Sequence, residues 1–424
     1  MFKREVTWIL LTLLTGLAAG VVALCYRLLL EFAELALDAV LALRLPRFVL
    51  YGGWGVTLTV LAYCVWRVTV WNPALSGGGA ARMIETYFYN IKSVWWKNIA
   101  ANLAGGTLTM FAGLSIGQIS PVIQLAASTG RGVATLFKLP RRLTGNLMLV
   151  GVSCGFTAAF SAPLAGAVFG MTEISRRWSW RVLLHSAVSV FAVYFLTVAV
   201  YGGRPLFTVA ANPPRDVKGY ICLVVFLFAV GVLAAFYNWT LMFFQRFFEY
   251  WRKVSGFWKI WPVFMLSGVV AFVLPEMRCS GMPLAESLFG AERTIRCLLL
   301  LLAAKLLFSA VSANCGAPGG LLFPIIVIGA LAGRLGGELA AAAGFIDTLD
   351  ITGFVIFGMC GMFIGSVRNT VTAVLLFMET TWQFSCLPGL LLAALICPMA
   401  PRLLRVLPVY VERARRLHER LGLK

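Results

Sequence analysis

The stretch GQISPVIQLAASTGR (117–131) decides the fold, because it interrupts an apolar sequence with a glycine, an amide, a hydroxyl and a proline. Such residues break a helix and place polar groups where a bilayer supplies no water. The stretch GLLFPIIVIGALAGR (320–334) aligns with it without gaps, at an offset of 203. Six positions are identical in the two stretches, and in the first stretch they are Gly117, Pro121, Ile123, Ala127, Gly130 and Arg131.

A second pair of segments follows in the same order. CGFTAAFSAPLAGAVFGMTE (154–173) aligns with CGMFIGSVRNTVTAVLLFME (360–379) at an offset of 206, which pairs Glu173 with Glu379. Two collinear matches indicate an internal duplication. The polar segment 201–220 lies between the halves, so we predict one unit, 1–424, with half-repeats 1–205 and 206–424.

The rest of the chain has the composition of a membrane protein. It is 60% hydrophobic and only 12% charged, against about 25% charged residues in soluble domains. Uncharged runs such as Trp8–Tyr26 recur along its length, and about 20 apolar residues span a bilayer as a helix. These features predict an all-α polytopic membrane protein. The first run is longer than a signal-peptide core and precedes further spans, so we expect a retained helix.

Charge, cysteine and histidine content narrow the functional classes. The net charge is +19, with arginines and lysines clustered in the polar breaks. The positive-inside rule then predicts a cytoplasmic C-terminal stretch, although part of this charge could favour anionic cargo. No basic tract suggests nucleic acid. Ten scattered cysteines and two histidines favour neither a metal site nor an enzyme, and we expect no cofactor.

The duplicated glycine–proline breaks suggest a transport site. Pro121 and Pro324 each suit the first turn of a helix, and the glycine four residues earlier allows a tight turn. Each break would expose free N–H groups and a positive helix end. Two such ends meeting within the membrane would form an anion-binding centre. The alternative is that both breaks are simple kinks.

At these residues the sequence resembles the CLC family of chloride channels and chloride/proton antiporters. The resemblance runs from about Ser76 to Tyr410. It is carried by five stretches: GQISP (117–121) where the family has GREGP, AFSAPLAG (159–166), CGAPGGLLFP (315–324), LSGGGAAR (75–82) in place of GSGIP, and LPVY (407–410).

The resemblance implies a homodimer in the lipid bilayer with one pathway per subunit for chloride or another small anion. It also implies two inverted halves whose broken helices meet at the bilayer midplane, and both termini on the cytoplasmic side of the cell (inner) membrane. We expect no regulatory domains. Glu173 falls on the family's internal proton-transfer glutamate. The implied anion ligands are the hydroxyls of Ser76 and Tyr410, the backbone N–H groups of Leu321 and Leu322, and an outer site formed by Gly117, Gln118, Ile119, Ser120 and Pro121.

Three departures from the family pattern bear on mechanism. The gating glutamate of GREGP is replaced by Ile119, which has no proton to give and no charge, while Gln118 replaces the arginine and Ser120 the second glycine. Leu75, Gly78 and Gly79 depart from GSGIP, which weakens the assignment of Ser76. In SVRNTV (366–371) an arginine enters a turn that is usually apolar.

Several polar residues admit more than one interpretation. Glu173 could belong to a proton relay or the inner vestibule, or be an interfacial glutamate paired with Arg176 or Arg177. Lys305 could pair with a buried carboxylate, provide a favourable field for anions, or snorkel. Tyr410 could be an interfacial anchor instead of a ligand.

The sequence therefore supports three functional hypotheses. The first is passive, or at least proton-uncoupled, anion transport, because Ile119 replaces the gating glutamate. The second is an anion/proton antiporter that uses another titratable group, with Glu173 and Glu85 as candidates. The third is a membrane scaffold that transports nothing. An enzyme is not expected, because clustered catalytic side chains are not evident.

Overall fold

The computed structural model describes residues 2–44, 46–75, 79–89, 93–251, 253–290 and 292–421. Their α-helices are α1 (Phe2–Leu41), α2 (Arg47–Trp71), α3 (Gly79–Tyr89), α4 (Trp95–Phe111), α5 (Ile119–Leu136), α6 (Arg141–Phe160), α7 (Pro163–Phe169), α8 (Trp180–Tyr201), α9 (Val217–Tyr250), α10 (Gly256–Val273), α11 (Met282–Ser287), α12 (Ile295–Ser312), α13 (Leu322–Ala342), α14 (Ile351–Val367), α15 (Thr370–Thr381), α16 (Leu387–Ile396), α17 (Met399–Leu403) and α18 (Val409–Leu421). A π-helical turn, Gly170–Ser175, follows α7.

The all-α membrane fold predicted from composition is confirmed. Ten helical stretches in the described part of the chain are long and apolar enough to cross a membrane. Their outward faces carry large exposed side chains such as Phe32, Phe195 and Leu395, as lipid-facing surfaces do. The first apolar run belongs to α1. The predicted boundary at 205 lies between α8 and α9, and the division into half-repeats stays a prediction.

The two broken-helix pairs, α5–α6 and α13–α14, pack in the same way. At Gly130 an added Cβ would lie 2.4 Å from the carbonyl oxygen of Leu147, and at Gly333 it would lie 2.4 Å from that of Phe354. Only glycine allows the two helix backbones to approach this closely. Gly130 and Gly333 are 203 positions apart, as in the first sequence match. The residues that they contact, Leu147 and Phe354, are 207 positions apart.

The offset of the second match, 206, is therefore wrong along α6. Gly151 and Gly358, which are related by the offset of 207, face the carbonyl oxygens of Ala126 and Gly329. In each case an added Cβ would lie 2.3 Å from that oxygen. Cys154 thus corresponds to Gly361 and not to Cys360. The two cysteines matched because small apolar residues are frequent in both helices.

The π-helical turn restores the offset of 206 at Glu173 and Glu379. Helices α6 and α14 end at left-handed residues, Ser161 (φ 55°) and Arg368 (φ 62°), and α7 and α15 begin two residues later. Glu173 follows the start of α7 by ten residues, whereas Glu379 follows the start of α15 by nine. A π-helical turn holds an extra residue, and one residue corresponds to about 100° around a helix.

Arg368, the unexpected arginine of SVRNTV, has a structural place in the fold. It occupies the left-handed position that ends α14, and its guanidinium donates to the carbonyl oxygen of Val406 just before α18. The arginine thereby connects the broken helix to the segment that leads to Tyr410.

Candidate functional site

The two glycines of the matched stretches meet at the centre of the molecule. Gly117 and Gly320 form an antiparallel bridge in which each N–H donates to the other carbonyl oxygen at 2.7 Å. An added Cβ at Gly117 would lie 3.1 Å from the backbone nitrogen of Phe323, and one at Gly320 would lie 2.8 Å from that of Ser120. Each glycine therefore lies against the first turn of the helix in the other half.

Helices α5 and α13 begin at this bridge in equivalent register, at Ile119 and Leu322. No acceptor among the described residues takes the backbone N–H groups of Ile119, Ser120, Leu322 or Phe323. All four residues are buried. Buried backbone donors are nearly always satisfied in proteins, so these four require an acceptor from outside the described chain.

Two further helices point their N-termini to the same region. An added Cβ at Gly79, the first residue of α3, would lie 2.2 Å from the carbonyl oxygen of Ser120, so α3 begins directly against α5. Tyr410 stands in the first turn of α18, and its hydroxyl lies 3.5 Å from Oγ of Ser120. Ser76, predicted to supply a central hydroxyl, lies outside the described residues.

The structure thus brings together most of the predicted anion ligands. Ser120 and Tyr410, which the resemblance assigns to separate outer and central positions, are neighbours. Gln118 is the residue before α5 and is half-buried, while Ile119 is fully buried. Leu321 is the residue before α13, and Leu322 and Phe323 follow in its first turn; the N–H group of Leu321, like those of the other two, has no backbone acceptor among the described residues. Tyr410 is 1% exposed, which contradicts an interfacial anchor.

Glu173 is buried in the π-helical turn with weak partners. Nδ2 of Asn369 donates to its Oε2 at 3.3 Å, and Nη2 of Arg176 lies 3.8 Å from its Oε1. Oε1 accepts no hydrogen bond from the described residues. The predicted pairing with Arg176 exists as a long contact, but Asn369 of the second half was not foreseen.

Glu379, its counterpart, caps a helix. Its two carboxylate oxygens accept the backbone N–H groups of Leu164 and Ala165, each at 2.8 Å. These residues form the first turn of α7, where a negative charge also interacts favourably with the helix dipole. Glu379 therefore joins the second half to the first.

A buried amide cluster on α4 and α5 was missed by the sequence reasoning. Nδ2 of Asn102 donates to Oε1 of Gln124 at 3.2 Å, and Nδ2 of Asn98 donates to Oγ of Ser128 at 3.4 Å. Asn98 and Asn102 on α4 are spaced i, i+4 within an apolar helix, as are Gln124 and Ser128 on α5. This spacing was the signal available in the sequence. Glu85, the other proposed proton carrier, is buried on α3, and its Oε2 lies 3.4 Å from Nη1 of Arg82.

Lys305 has neither of two predicted environments. It is fully buried, so it does not snorkel, and its Nζ donates to the carbonyl oxygen of Met277 at 2.9 Å. No carboxylate among the described residues lies within 4.0 Å of it. It anchors the segment between α10 and α11 to α12.

Taken together, the four helix N-termini form a buried centre with hydrogen-bond donors and hydroxyls. Backbone N–H groups and the positive ends of helices hold anions without adding a full charge. An isolated anion costs tens of kcal/mol to move into an apolar medium by a Born estimate, so preformed donors are needed if one is to cross. This arrangement can therefore bind a small dehydrated anion.

Comparison with protein families gives a match to the family described as voltage gated chloride channel, over residues 58–402. The chain is similar to the H(+)/Cl(-) exchange transporter ClcA of Citrobacter koseri, with 26% identity over 348 residues, covering 79% of this chain and 72% of the relative. The ClcA of Vibrio campbellii is 25% identical over 389 residues, covering 90% and 82%.

Solved structures share the fold. A slow cyanobacterial Cl-/H+ antiporter superposes with a TM-score of 0.86 at 20% identity, covering 97% of both chains. A CLC-type fluoride/proton antiporter gives a TM-score of 0.80 at 17% identity, covering 95% of this chain and 97% of that one. These likenesses confirm the predicted architecture of two halves with broken helices.

Proposed function

Because its residues 58–402 match the family model, the chain belongs to the voltage gated chloride channel family, and we propose that it moves a small inorganic anion such as chloride across the membrane. The observation that carries the proposal is the set of four buried backbone N–H groups, on Ile119, Ser120, Leu322 and Phe323, with no described acceptor. An anion that leaves water can replace its hydration shell with such donors.

The proposal assigns the ligands as follows. The N–H groups of Leu321, Leu322 and Phe323 and the hydroxyl of Tyr410 bind the central anion, together with Ser76. Gly117, Gln118, Ile119 and Ser120 line the outer position. The contact between Tyr410 and Ser120 supports one continuous site instead of two separate ones. A homodimer with cytoplasmic termini in the inner membrane belongs to the same proposal, and no cofactor is required.

We assign passive, proton-uncoupled transport to this chain. Ile119 lies in the first turn of α5, where its apolar side chain can neither accept the free N–H groups nor carry a proton. Nothing at that position therefore competes with the anion or titrates with pH. Glu173 contacts Asn369 and Arg176, and the proposal gives it no part in proton transfer.

The second candidate is anion/proton exchange through Glu173 or Glu85. Its support is that the similar ClcA proteins are H(+)/Cl(-) exchange transporters and that both carboxyl groups are buried.

Simultaneous ion fluxes from liposomes separate the hypotheses. Purified protein in chloride-loaded vesicles should release chloride under a potassium diffusion potential, with no proton uptake. Proton uptake in fixed proportion to chloride would reject the uncoupled version and favour exchange. Absence of flux for chloride, bromide and fluoride would favour the third hypothesis, a membrane scaffold that transports nothing.

A further inference from the structure

A large cavity separate from the helix N-termini lies where α1, α6 and α8 begin. Its volume is about 1100 Å³, and its walls come from residues 7–12, 139–150 and 171–185, with Tyr87 of α3. Since α1, α6 and α8 belong to three of the apolar spans, their starts place the cavity at the membrane–water boundary.

Three guanidinium groups line this cavity. They belong to Arg142, Arg177 and Arg181, and the described lining contains no aspartate or glutamate. None of the three forms an ion pair with a described carboxylate, whereas the neighbouring Arg176 contacts Glu173. The cavity therefore has uncompensated positive charge at its mouth.

Part of the wall of the same cavity is apolar, and exposed apolar side chains adjoin it in the sequence. Leu11, Leu149 and Val182 form part of the wall, and neighbouring residues on α1 and α8 expose large side chains, with Leu10 at 59% and Leu184 at 64%. Nε1 of Trp8 donates to Nδ1 of His185 at 3.0 Å and holds both rings in the wall. Trp178 adds an exposed indole, as at membrane interfaces.

We propose that this cavity binds one anionic phospholipid of the cytoplasmic leaflet, with its phosphate between Arg142, Arg177 and Arg181 and an acyl chain along the apolar wall. The positive-inside rule assigns this end to the cytoplasm, because Lys138, Arg141 and the three cavity arginines cluster there. Arginine binds phosphate through paired, charge-assisted N–H groups, and basic pockets between membrane helices take anionic headgroups. The proposal is independent of the transport reaction.

A lipid explains the cavity better than a soluble phosphate or a second copy of the chain. A soluble phosphate would use the arginines but not the apolar wall around Leu149 and Val182. A second copy would have to bring a complementary carboxylate to the three arginines and an apolar segment to the wall beside them. One phospholipid would place its phosphate against the three arginines and an acyl chain along the apolar part of the wall.

Native mass spectrometry of the full-length protein tests the proposal. The probes are dioleoyl phosphatidylglycerol and dioleoyl phosphatidylcholine, which differ in headgroup charge and share acyl chains. We expect one retained phosphatidylglycerol per chain, preferred over phosphatidylcholine by at least about tenfold. The variant Arg142→Gln/Arg177→Gln/Arg181→Gln should lose this preference.

A matched variant separates the cavity from general surface charge. Arg67→Gln/Arg246→Gln/Arg405→Gln removes the same charge from arginines outside the cavity lining and should retain the lipid. The charge-conserving Arg142→Lys/Arg177→Lys/Arg181→Lys variant should also retain it. If the glutamine variant does not elute as folded protein, the single Arg181→Gln should show an intermediate preference.

Three results would overturn the proposal. Equal retention of the two lipids would show that headgroup charge is not recognised. Equal loss in the cavity and control variants would assign binding to overall surface charge. Displacement of phosphatidylglycerol by millimolar inorganic phosphate would identify a site for a soluble anion.

Discussion

Glu173 and Glu379 occupy equivalent positions in the two halves and have opposite environments. Glu379 accepts two backbone N–H groups at 2.8 Å and caps α7, while Glu173 has one hydrogen bond of 3.3 Å and an ion-pair contact of 3.8 Å. Glu173 lies within the π-helical turn, whereas Glu379 lies in the regular α-helix α15. The two carboxylates therefore have different roles, because the residues that contact them differ: Leu164 and Ala165 for Glu379, and Asn369 and Arg176 for Glu173.

The same contrast between halves applies at the central bridge, where it predicts the largest effect. In Gly320→Ala the new Cβ would meet two backbone atoms, the oxygen of Gly117 at 2.7 Å and the nitrogen of Ser120 at 2.8 Å. In Gly117→Ala the nearest atom is the Cβ of Phe323, at 2.9 Å, which belongs to a side chain. We expect Gly320→Ala to reduce anion flux at least about 100-fold and Gly117→Ala to reduce it less.

Flux per folded protein in liposomes, with elution volume as the folding control, measures both variants. Equal losses would show that the halves are interchangeable at the bridge.

The second prediction compares the two glutamates directly. Glu379→Gln removes the charge and one of two acceptors at the start of α7, and should lower the free energy of unfolding by about 2 kcal/mol. Glu173→Gln should lower it by less than about 1 kcal/mol, because a buried carboxylate with weak partners gains little from its charge. Denaturation in detergent at neutral pH measures both, and equal losses would contradict the assigned difference.

The third prediction concerns the first turn of α5. Ile119→Glu introduces a carboxylate that can accept the free N–H groups in place of the anion, so flux at neutral pH should fall about tenfold. Protonation removes that competition, so flux should rise as pH falls. Ile119→Gln is the uncharged control and should show little pH dependence. Flux of Ile119→Glu that equals wild type at every pH would place residue 119 outside the pathway.

The smallest effect is expected at Tyr410. Tyr410→Phe removes only the hydroxyl that faces Ser120, so calorimetric affinity for chloride should weaken about threefold to tenfold, as for one hydrogen bond. Tyr410→Ala should weaken it further by opening a cavity in the buried centre. Unchanged affinity in both variants would remove Tyr410 from the proposed ligands.

Much of this organisation could be predicted from the residue pattern. Gly117 and Pro121, repeated at Gly320 and Pro324, predicted two helices that begin inside the membrane, and the structure places both starts in that register. The offset of 206 along α6 could not be corrected from the sequence, because glycine, alanine and cysteine are too frequent there for identities to discriminate. The contacts of Gly151 and Gly358 supply the offset of 207.

The candidate site was predicted less completely. Tyr410 and Ser120 were named separately, but their contact joins residues 290 positions apart, which no local pattern indicates. Asn369 as the partner of Glu173 was missed for the same reason. The amides of Asn98 and Asn102 had a helical spacing that pointed to a shared face, although their partners on α5 required the packing of the two helices.

The sequence by itself determined that the chain spans a membrane, and that two matched stretches, 117–131 and 320–334, each open a helix with a glycine and a proline. Hydropathy, periodicity and the backbone restrictions of glycine and proline are local properties, so they can be predicted from short stretches of the sequence. Only the tertiary structure decided which helix starts meet, that Glu379 caps α7, and that Glu173 lies in a π-helical turn. These depend on distances between residues remote in sequence and on a single inserted residue, which composition does not record.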